Sequence, residues 1–267
     1  MKIIELIKKY LDANDILIYQ MGKVGSTSLE NSLSNSTHFH TLYDRRLCQF
    51  YIDSRQVSKS VKIKHYLLSR LRVSLIKRRK KVKIITLVRN PYDRNVSHFF
   101  QDLQFWLSYH SLKKEEFREE NKDLIKECFE ESFNFDYATN WFKEEIERFC
   151  GIKIQEDCEF DISKGVGTVI KGKYELLILR TDKLDNLEEE IAKFVGYKVV
   201  INRTNVGEAK WYSCVYKEFK NSYIPSETVL YNTFDTDWVK KLFSENERDA
   251  MIEKARNFNN KHKTNIT

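Results

Sequence analysis

The sequence predicts an α/β protein with a central parallel sheet and helices on both faces. Three apolar runs, 16–19, 82–88 and 174–180, have the length and β-branched content of buried strands. Each run is followed by a segment with helical patterning, and strands that alternate with helices form a parallel sheet between helical layers. Hydrophobic residues make up 41% of the 267 residues and only two prolines are present, so we expect one folded domain, 1–267, without a linker.

A glycine loop separates the first strand from the helix that follows it. The loop and the start of the helix consist of Gly22, Lys23, Val24, Gly25, Ser26, Thr27 and Ser28. Thr27 and Glu30 have the spacing of a capping box, which predicts a helix start. Backbone N–H groups and the positive end of the helix dipole favour an anion there, and Lys23 adds a cation. The pattern indicates a phosphate site, although a turn that only connects strand and helix would use similar residues.

The loop differs from two common nucleotide-binding motifs. In the Walker A motif the lysine directly precedes a serine or threonine, whereas Lys23 lies before the second glycine, Gly25. The G-x-G-x-x-G pattern of dinucleotide-binding folds is absent as well. These departures count against a P-loop-type kinase. We keep that kinase as an alternative, together with a non-catalytic module that retains a nucleotide-binding fold.

A second motif follows the second apolar run. Arg89 ends the strand, and Asn90 is a favourable N-cap for the next helix. Arg89 and Ser97 therefore lie at a strand end and two turns into a helix, where a guanidinium and a hydroxyl can bind one anionic group. The alternative is an ion pair of Asp93 with Arg89 or Arg94 that fixes the corner between strand and helix.

Together, the two motifs resemble the paired signature of sulfotransferases that use 3′-phosphoadenosine 5′-phosphosulfate (PAPS). The matching segments are Gly22-Lys23-Val-Gly25-Ser26-Thr27-Ser28-Leu29 and Val88-Arg89-Asn90-Pro91-Tyr-Asp93-Arg94-Asn-Val-Ser97. The resemblance implies a three-layer, P-loop-like fold and transfer of a sulfuryl group from PAPS to an acceptor hydroxyl, without a metal. It also implies that the loop from Gly22 to Ser28 holds the 5′-phosphosulfate, and that Arg89 and Ser97 hold the 3′-phosphate.

A weaker similarity reaches further along the chain. Segments 177–184 and 205–213 resemble a bacterial sulfotransferase-like group named for capsular polysaccharide synthesis, which has a Lys-Trp-Tyr-Ser segment, 210–213 here. This similarity implies a carbohydrate or glycolipid acceptor, as in a surface or capsular glycan. It also leaves open a peripheral association with the membrane or with a glycan assembly complex. Lys210 could reach the nucleotide or the acceptor, whereas Trp211 and Tyr212 suit packing.

Sulfuryl transfer needs a cation and a base. Negative charge develops on the oxygen that bridges sulfur and phosphorus, so a cation at that oxygen stabilises the transition state. Lys23 is the candidate cation, by position and by resemblance. The acceptor hydroxyl needs a base, and His40 is preferred because it would lie near the end of the second strand, beside the first. Asp44, His38 and His65 stay open as alternatives, and an aspartate would need a raised pKa to serve.

The remaining elements are predicted from their patterning. Residues 37–43 alternate, which predicts a second strand with His38 and His40 on one face. Glycines within 159–173 indicate a hairpin or a loop, and 199–201 is expected to add a short strand. Helices are expected at the N-terminus, over 45–81, from 91 to about 107, up to 131, over 137–149, over 185–195 and from about 210. The aromatic residues expected to pack in the last region are Trp211, Tyr212, Tyr216, Phe219 and Trp238.

Charge is distributed unevenly along the chain. The formal net charge is +7, with basic residues concentrated in 70–83 and eight acidic residues in 115–131. The basic run fits either a solvated helix end or a surface that attracts an anionic nucleotide, a glycan or a membrane lipid. Aromatic residues do not interleave with it as they do in nucleic-acid sites, so no nucleic-acid partner is expected.

Several missing signals favour a cytoplasmic enzyme of bacterial type. The N-terminal segment is patterned as an amphipathic helix rather than a signal peptide, and no run approaches the length of a membrane span. The five cysteines include no C-x-x-C pair, which argues against a zinc site or a disulfide framework and fits a reducing compartment.

Overall fold

A computed structural model describes residues 3–43, 59–109, 122–201 and 210–257 of the chain. Its centre is a six-stranded mixed sheet with the order β2-β1-β3-β6-β5-β4. The strands are β1 (Ile16–Tyr19), β2 (Ser36–Phe39), β3 (Val82–Val88), β4 (Glu159–Asp161), β5 (Val166–Lys171) and β6 (Tyr174–Arg180). The α/β fold class is confirmed, and β1, β3 and β6 have the boundaries expected from the sequence.

The sheet is mixed rather than purely parallel as predicted. β2, β1, β3 and β6 run parallel, whereas β5 is antiparallel to both β6 and β4. Short turns connect β4, β5 and β6, and antiparallel strands can be joined in this way while parallel strands need a long crossover. Gly165 provides one of these turns, with a left-handed φ of 76°. The glycines of this region therefore form hairpins that extend the parallel part of the sheet.

Helices occupy most of the remaining described chain. They are α1 (Ile3–Leu11), α2 (Ser26–Ser32), α3 (Lys59–Ile76), α4 (Pro91–Gln101), α5 (Leu103–Tyr109), α6 (Lys122–Glu127), α7 (136–150), α8 (Ile154–Asp157), α9 (Glu188–Val195), α10 (Ser213–Ser222), α11 (Glu227–Phe234), α12 (Asp237–Leu242) and α13 (Glu245–Asn257). A π-helical segment, Cys128–Ser132, continues α6, and α7 contains another, Phe142–Glu147. Thr181–Asn186 forms a 3₁₀ helix between β6 and α9.

Two predictions of local structure are wrong. The capping box of Thr27 and Glu30 does not form, because α2 begins at Ser26 and its N-cap is Gly25, which has no side chain to accept a hydrogen bond. No strand forms at 199–201; the N–H of Ile201 instead donates to the Glu188 carboxylate at 2.7 Å.

The chain divides into two compact units. The first comprises Met1–Arg89 and Asn140–Arg203, and the second comprises Asn90–Thr139 and Thr204–Thr267. The sheet forms the core of the first unit. Aromatic rings form the core of the second: Phe99, Phe100, Phe129 and Phe219 are all buried, with ring centroids of neighbouring pairs 5.2–6.3 Å apart. The single domain over 1–267 stays a prediction.

Among the described helices, none combines the length and the apolar character that crossing a bilayer requires.

Candidate functional site

The glycine loop connects the carboxyl end of β1 to α2 and has an unusual backbone. Lys23 has φ 70° and Gly25 has φ 88°, so two of its residues adopt the left-handed region that favours glycine. Thr181 also restricts the residue type at position 25, because a Cβ on Gly25 would lie 3.2 Å from the Cγ2 atom of Thr181. Val24 is buried, while Gly22 and Lys23 are half-buried. The loop therefore buries the side chain of Val24 between two residues, Lys23 and Gly25, whose backbone is left-handed.

Side chains from two other strand ends bind the carbonyl groups of this loop. Arg89, which follows β3, donates from Nη1 to the carbonyl oxygen of Lys23 at 3.3 Å. Thr181, which follows β6, places Oγ1 2.7 Å from the carbonyl oxygen of Val24 and 2.9 Å from that of Val88. Its single proton serves one of these acceptors at a time. The structure thus brings together Lys23 and Arg89, the two cations predicted for the site.

Gln20 connects the carboxyl ends of three strands and was missed by the sequence analysis. Its N–H donates to the carbonyl oxygen of Phe39 in β2 at 3.1 Å, and its Oε1 accepts from the N–H of Leu87 in β3 at 3.3 Å. The side chain is fully buried. A glutamine two residues before a glycine loop gives no local signal of this role, because the role depends on which strands lie on each side of β1.

His38 lies at the end of β2 beside α2. Its Nδ1 is 2.8 Å from Oε1 of Glu30, and its Nε2 is 3.5 Å from Nε2 of Gln20. Burial lowers the pKa of His38, and this effect outweighs the negative charge of Glu30, which raises it. The neutral imidazole is therefore favoured, with the Nδ1 proton donated to Glu30 and the lone pair on Nε2.

His40 lies one residue beyond β2 and is exposed. Its Nδ1 is 3.3 Å from the carbonyl oxygen of Gln20, and its ring centroid is 4.3 Å from that of His38. A carbonyl oxygen only accepts, so this contact requires a proton on Nδ1 and places the lone pair of the neutral ring on Nε2. This geometry suits a base, and the assignment of His40 stays a prediction.

Glu145 holds the chain that follows β2. This buried carboxylate lies in the π-helical segment of α7 and accepts from the N–H groups of Leu42 at 2.7 Å and Tyr43 at 3.2 Å. It also accepts the hydroxyl hydrogen bond of Tyr19 in β1. Sequence analysis missed Glu145, because it is one of several acidic residues in a charged helix and its neighbour Glu144 is exposed. Segments of π-helix are frequent at functional sites.

The helix after β3 belongs to the second unit. Asn90 is its N-cap, as predicted, and its side chain accepts from the N–H of Asp93 at 3.1 Å. Asp93 forms an ion pair with Lys220 at 2.6 Å. Ser97 places its hydroxyl 3.2 Å from the hydroxyl of Tyr216. The predicted partnership of Ser97 with Arg89 thus involves residues of different units, and it stays a prediction.

The remaining residues considered from the sequence either lie in segments other than the glycine loop and the strand ends beside it, or fall outside the described residues. His98 packs against Phe133, and its Nδ1 accepts a hydrogen bond from Nη2 of the buried Arg94 at 3.1 Å. Lys210 lies over the ring of Tyr212, with its Nζ 5.5 Å from the centroid. Asp44 and 205–209 lie outside the described residues, as does the side chain of His65. The expected packing of Trp211 is wrong, since 41% of this residue is exposed.

Searches for similar proteins found no matching family model, no matching curated protein and no matching solved structure.

Proposed function

We propose that this protein transfers a sulfuryl group from PAPS to an acceptor hydroxyl, using a three-layer, P-loop-like fold. One observation supports this most directly. The loop after β1 has Lys23 in a left-handed conformation, and the guanidinium of Arg89 after β3 binds its carbonyl group. Lys23 and Arg89 lie at the carboxyl ends of neighbouring parallel strands, beside a close-packed glycine turn. This arrangement suits a ligand with several anionic groups.

In this proposal the acceptor oxygen attacks sulfur, and the bond from sulfur to the bridging phosphate oxygen breaks. The electron pair of that bond stays on the phosphate, so the products are 3′-phosphoadenosine 5′-phosphate (PAP) and a sulfate ester. Lys23 would stabilise the charge that develops on the bridging oxygen, and the backbone of 25–28 would hold the 5′-phosphate. Arg89 would bind the 3′-phosphate, and the resemblance adds Ser97 to that group.

The proton of the acceptor hydroxyl would pass to Nε2 of His40. This atom is the basic nitrogen of the ring when Nδ1 donates to the carbonyl of Gln20. His38 is the alternative base, with its neutral form favoured by burial and its Nδ1 held by Glu30. The carbohydrate or glycolipid nature of the acceptor rests on the sequence resemblance alone.

A thermal-shift comparison tests the proposal. PAP, ATP and ADP are each added to the full chain, with and without Mg²⁺. A ligand at a hundred times its dissociation constant adds about 2.7 kcal/mol to the stability of the folded state, which is readily measured. We expect a shift with PAP that does not depend on Mg²⁺. A shift with ATP alone that requires Mg²⁺ would support a kinase instead, and no shift with any nucleotide would favour a non-catalytic module.

A further inference from the structure

The helix α3 carries exposed apolar side chains along one side. Ile63 and Leu67 are 59% and 58% exposed, and Leu71 is 39% exposed. Leu75, four residues further on, and Ile76 are buried at the end of the helix. Residues four apart lie on one side of a helix, so Ile63, Leu67 and Leu71 form a continuous stripe, which we call the α3 stripe. The same side of the helix is therefore buried at its end, at Leu75, and open to solvent at the three positions before it.

The charge around the α3 stripe has a single sign. Residues 59–83 include eleven lysines and arginines and no aspartate or glutamate. Lys64 and Arg70 lie beside or within the stripe and are exposed, and Arg70 stacks on the ring of Tyr66 with its Cζ 4.9 Å from the centroid. Further exposed cations follow the end of the helix: Lys77, Arg78, Lys80 and Lys81.

Carboxylates do not neutralise most of these cations. Among the described residues, Lys81 pairs with Glu175 at 2.6 Å, whereas Lys64, Arg70, Lys77, Arg78 and Lys80 form no ion pair. The surface therefore combines exposed apolar side chains with uncompensated positive charge over one helix and its end.

We propose that the α3 stripe and its flanking cations dock the protein on an anionic lipid surface. Apolar side chains along one side of a helix can enter the boundary between headgroups and acyl chains, while lysine and arginine bind anionic headgroups. An aqueous nucleic acid would satisfy the cations but leave Ile63, Leu67 and Leu71 in contact with water. The long stems of Lys64 and Arg70 allow their charges to reach the headgroup layer beside a buried stripe.

Sedimentation with vesicles tests the proposal on the full chain. We expect binding to vesicles of phosphatidylcholine mixed with phosphatidylglycerol, little binding to phosphatidylcholine alone, and a loss of binding as salt increases. Ile63→Ser/Leu67→Ser should lower the partition coefficient about tenfold or more, because two apolar side chains no longer enter the bilayer. Lys64→Gln/Arg70→Gln should lower it roughly fivefold for each charge removed.

Matched variants control for general effects. Val200→Ser/Ile224→Ser removes apolar side chains that are 52% and 57% exposed elsewhere on the chain, and Lys217→Gln/Lys254→Gln removes the same number of positive charges. Both should bind vesicles as the parent protein does. Circular dichroism and melting temperature establish that each variant is folded, and an unfolded double variant is replaced by Leu67→Ser alone.

Several outcomes would overturn the proposal. These are no binding of the parent protein to anionic vesicles, equal binding to neutral vesicles, or unchanged binding of Ile63→Ser/Leu67→Ser. Two further measurements identify a different occupant. Tighter retention on single-stranded RNA that is insensitive to the serine substitutions would assign the cations to nucleic acid. A dimer in light scattering that dissociates in Ile63→Ser/Leu67→Ser would assign the stripe to a second copy.

Discussion

Trp141 donates its indole N–H to the backbone carbonyl of His40 at 2.8 Å. Trp141 ends the regular first part of α7, and Glu145 lies one turn further on, within the π-helical segment. The two side chains therefore hold consecutive parts of the segment after β2, at His40 and at Leu42. Under the proposed function they are positioning residues for the base, because Trp141 binds the backbone carbonyl of His40 and Glu145 binds backbone N–H groups two and three residues further on.

Trp141→Phe should lower kcat about tenfold or more while leaving the affinity for PAP unchanged, since a displaced base slows only the proton transfer. The matched control is Trp238→Phe. Trp238 is equally buried, and its indole N–H donates to the carbonyl of Ala138 at 2.9 Å. Both variants should lose stability to a similar extent, on the order of 1–3 kcal/mol. Equal losses of kcat in both, at a temperature where both are folded, would contradict the positioning role.

Lys23 combines a charge with a strained backbone, and two substitutions separate these properties. Under the proposed function, Lys23→Ala and Lys23→Gly should both abolish sulfuryl transfer and retain the thermal shift with PAP, because the cation would act mainly on the transition state. Lys23→Gly should also be more stable than Lys23→Ala by about 1 kcal/mol, because φ is 70° and glycine adopts this region freely. Transfer assays and urea unfolding measure the two effects. Full activity in either variant would refute the catalytic role of Lys23.

Arg89 contacts the loop as well as the proposed 3′-phosphate, so its substitution is measured with two nucleotides. Arg89→Ala removes the hydrogen bond to the Lys23 carbonyl, and this loss should weaken the binding of PAP and of ADP alike. PAP would also lose a charged hydrogen bond to its 3′-phosphate, so its binding should weaken by about 1.5–3 kcal/mol more than that of ADP. Titration calorimetry with both ligands isolates this difference. An equal loss of affinity for PAP and for ADP would show that Arg89 does not bind the 3′-phosphate.

The long strands were predictable because they are buried on both faces. Val82–Val88 and Tyr174–Arg180 are apolar along most of their length. The first is followed directly by Arg89 and the second ends at Arg180, so composition indicates their boundaries. The N-cap of α4 was predictable for a similar reason, since Asn90 accepts a bond from a residue only three positions away. Such features depend on neighbours in sequence.

Features that depend on distant partners were not predictable. Asp93 pairs with Lys220, 127 positions away, and Glu145 binds the N–H of Leu42, 103 positions away. Thr27 has the spacing of a capping box, but the left-handed Gly25 becomes the N-cap and starts the helix two residues earlier. Thr181 contacts the carbonyls of Val24 and Val88 only because β6 lies beside β3. Strand order and packing decide these contacts, and neither can be read from local patterns.

His38 should make the protein sensitive to acid. Burial lowers its pKa below the ordinary value of 6.5, so the folded state binds a proton less readily than the unfolded state. The contribution of His38 to stability is therefore fully present above pH 6.5 and is lost as the pH falls through its folded pKa. His38→Gln should reduce the loss of stability between pH 7.5 and 5.5 in urea unfolding. Glu30→Gln should increase this loss, because the Glu30 charge raises the pKa of His38. Changes of the same sign in both variants would contradict this account.

Arg79 should be far more important for stability than its neighbour Arg78. Arg79 is buried and binds Asp15 at 2.9 Å, and it also donates to the carbonyls of Lys9 and Tyr10 at the end of α1. Arg79→Ala would leave the Asp15 carboxylate buried without this charge and should cost about 3–5 kcal/mol in urea unfolding at pH 7. Arg78 is exposed, so Arg78→Ala should change stability by about 0.5 kcal/mol or less.

The pH dependence of Arg79→Ala provides an independent check. Burial raises the pKa of Asp15 above its ordinary value, and Arg79 opposes this effect. Without Arg79 the pKa rises further. A carboxyl group with a raised folded pKa stabilises the protein most below its unfolded pKa of 3.8, and this contribution is lost as the pH rises. The stability difference between the parent protein and Arg79→Ala should therefore widen from pH 3.5 to pH 7. A difference that stays constant over this range would mean that Arg79 acts through its backbone contacts to α1 rather than through the charge of Asp15.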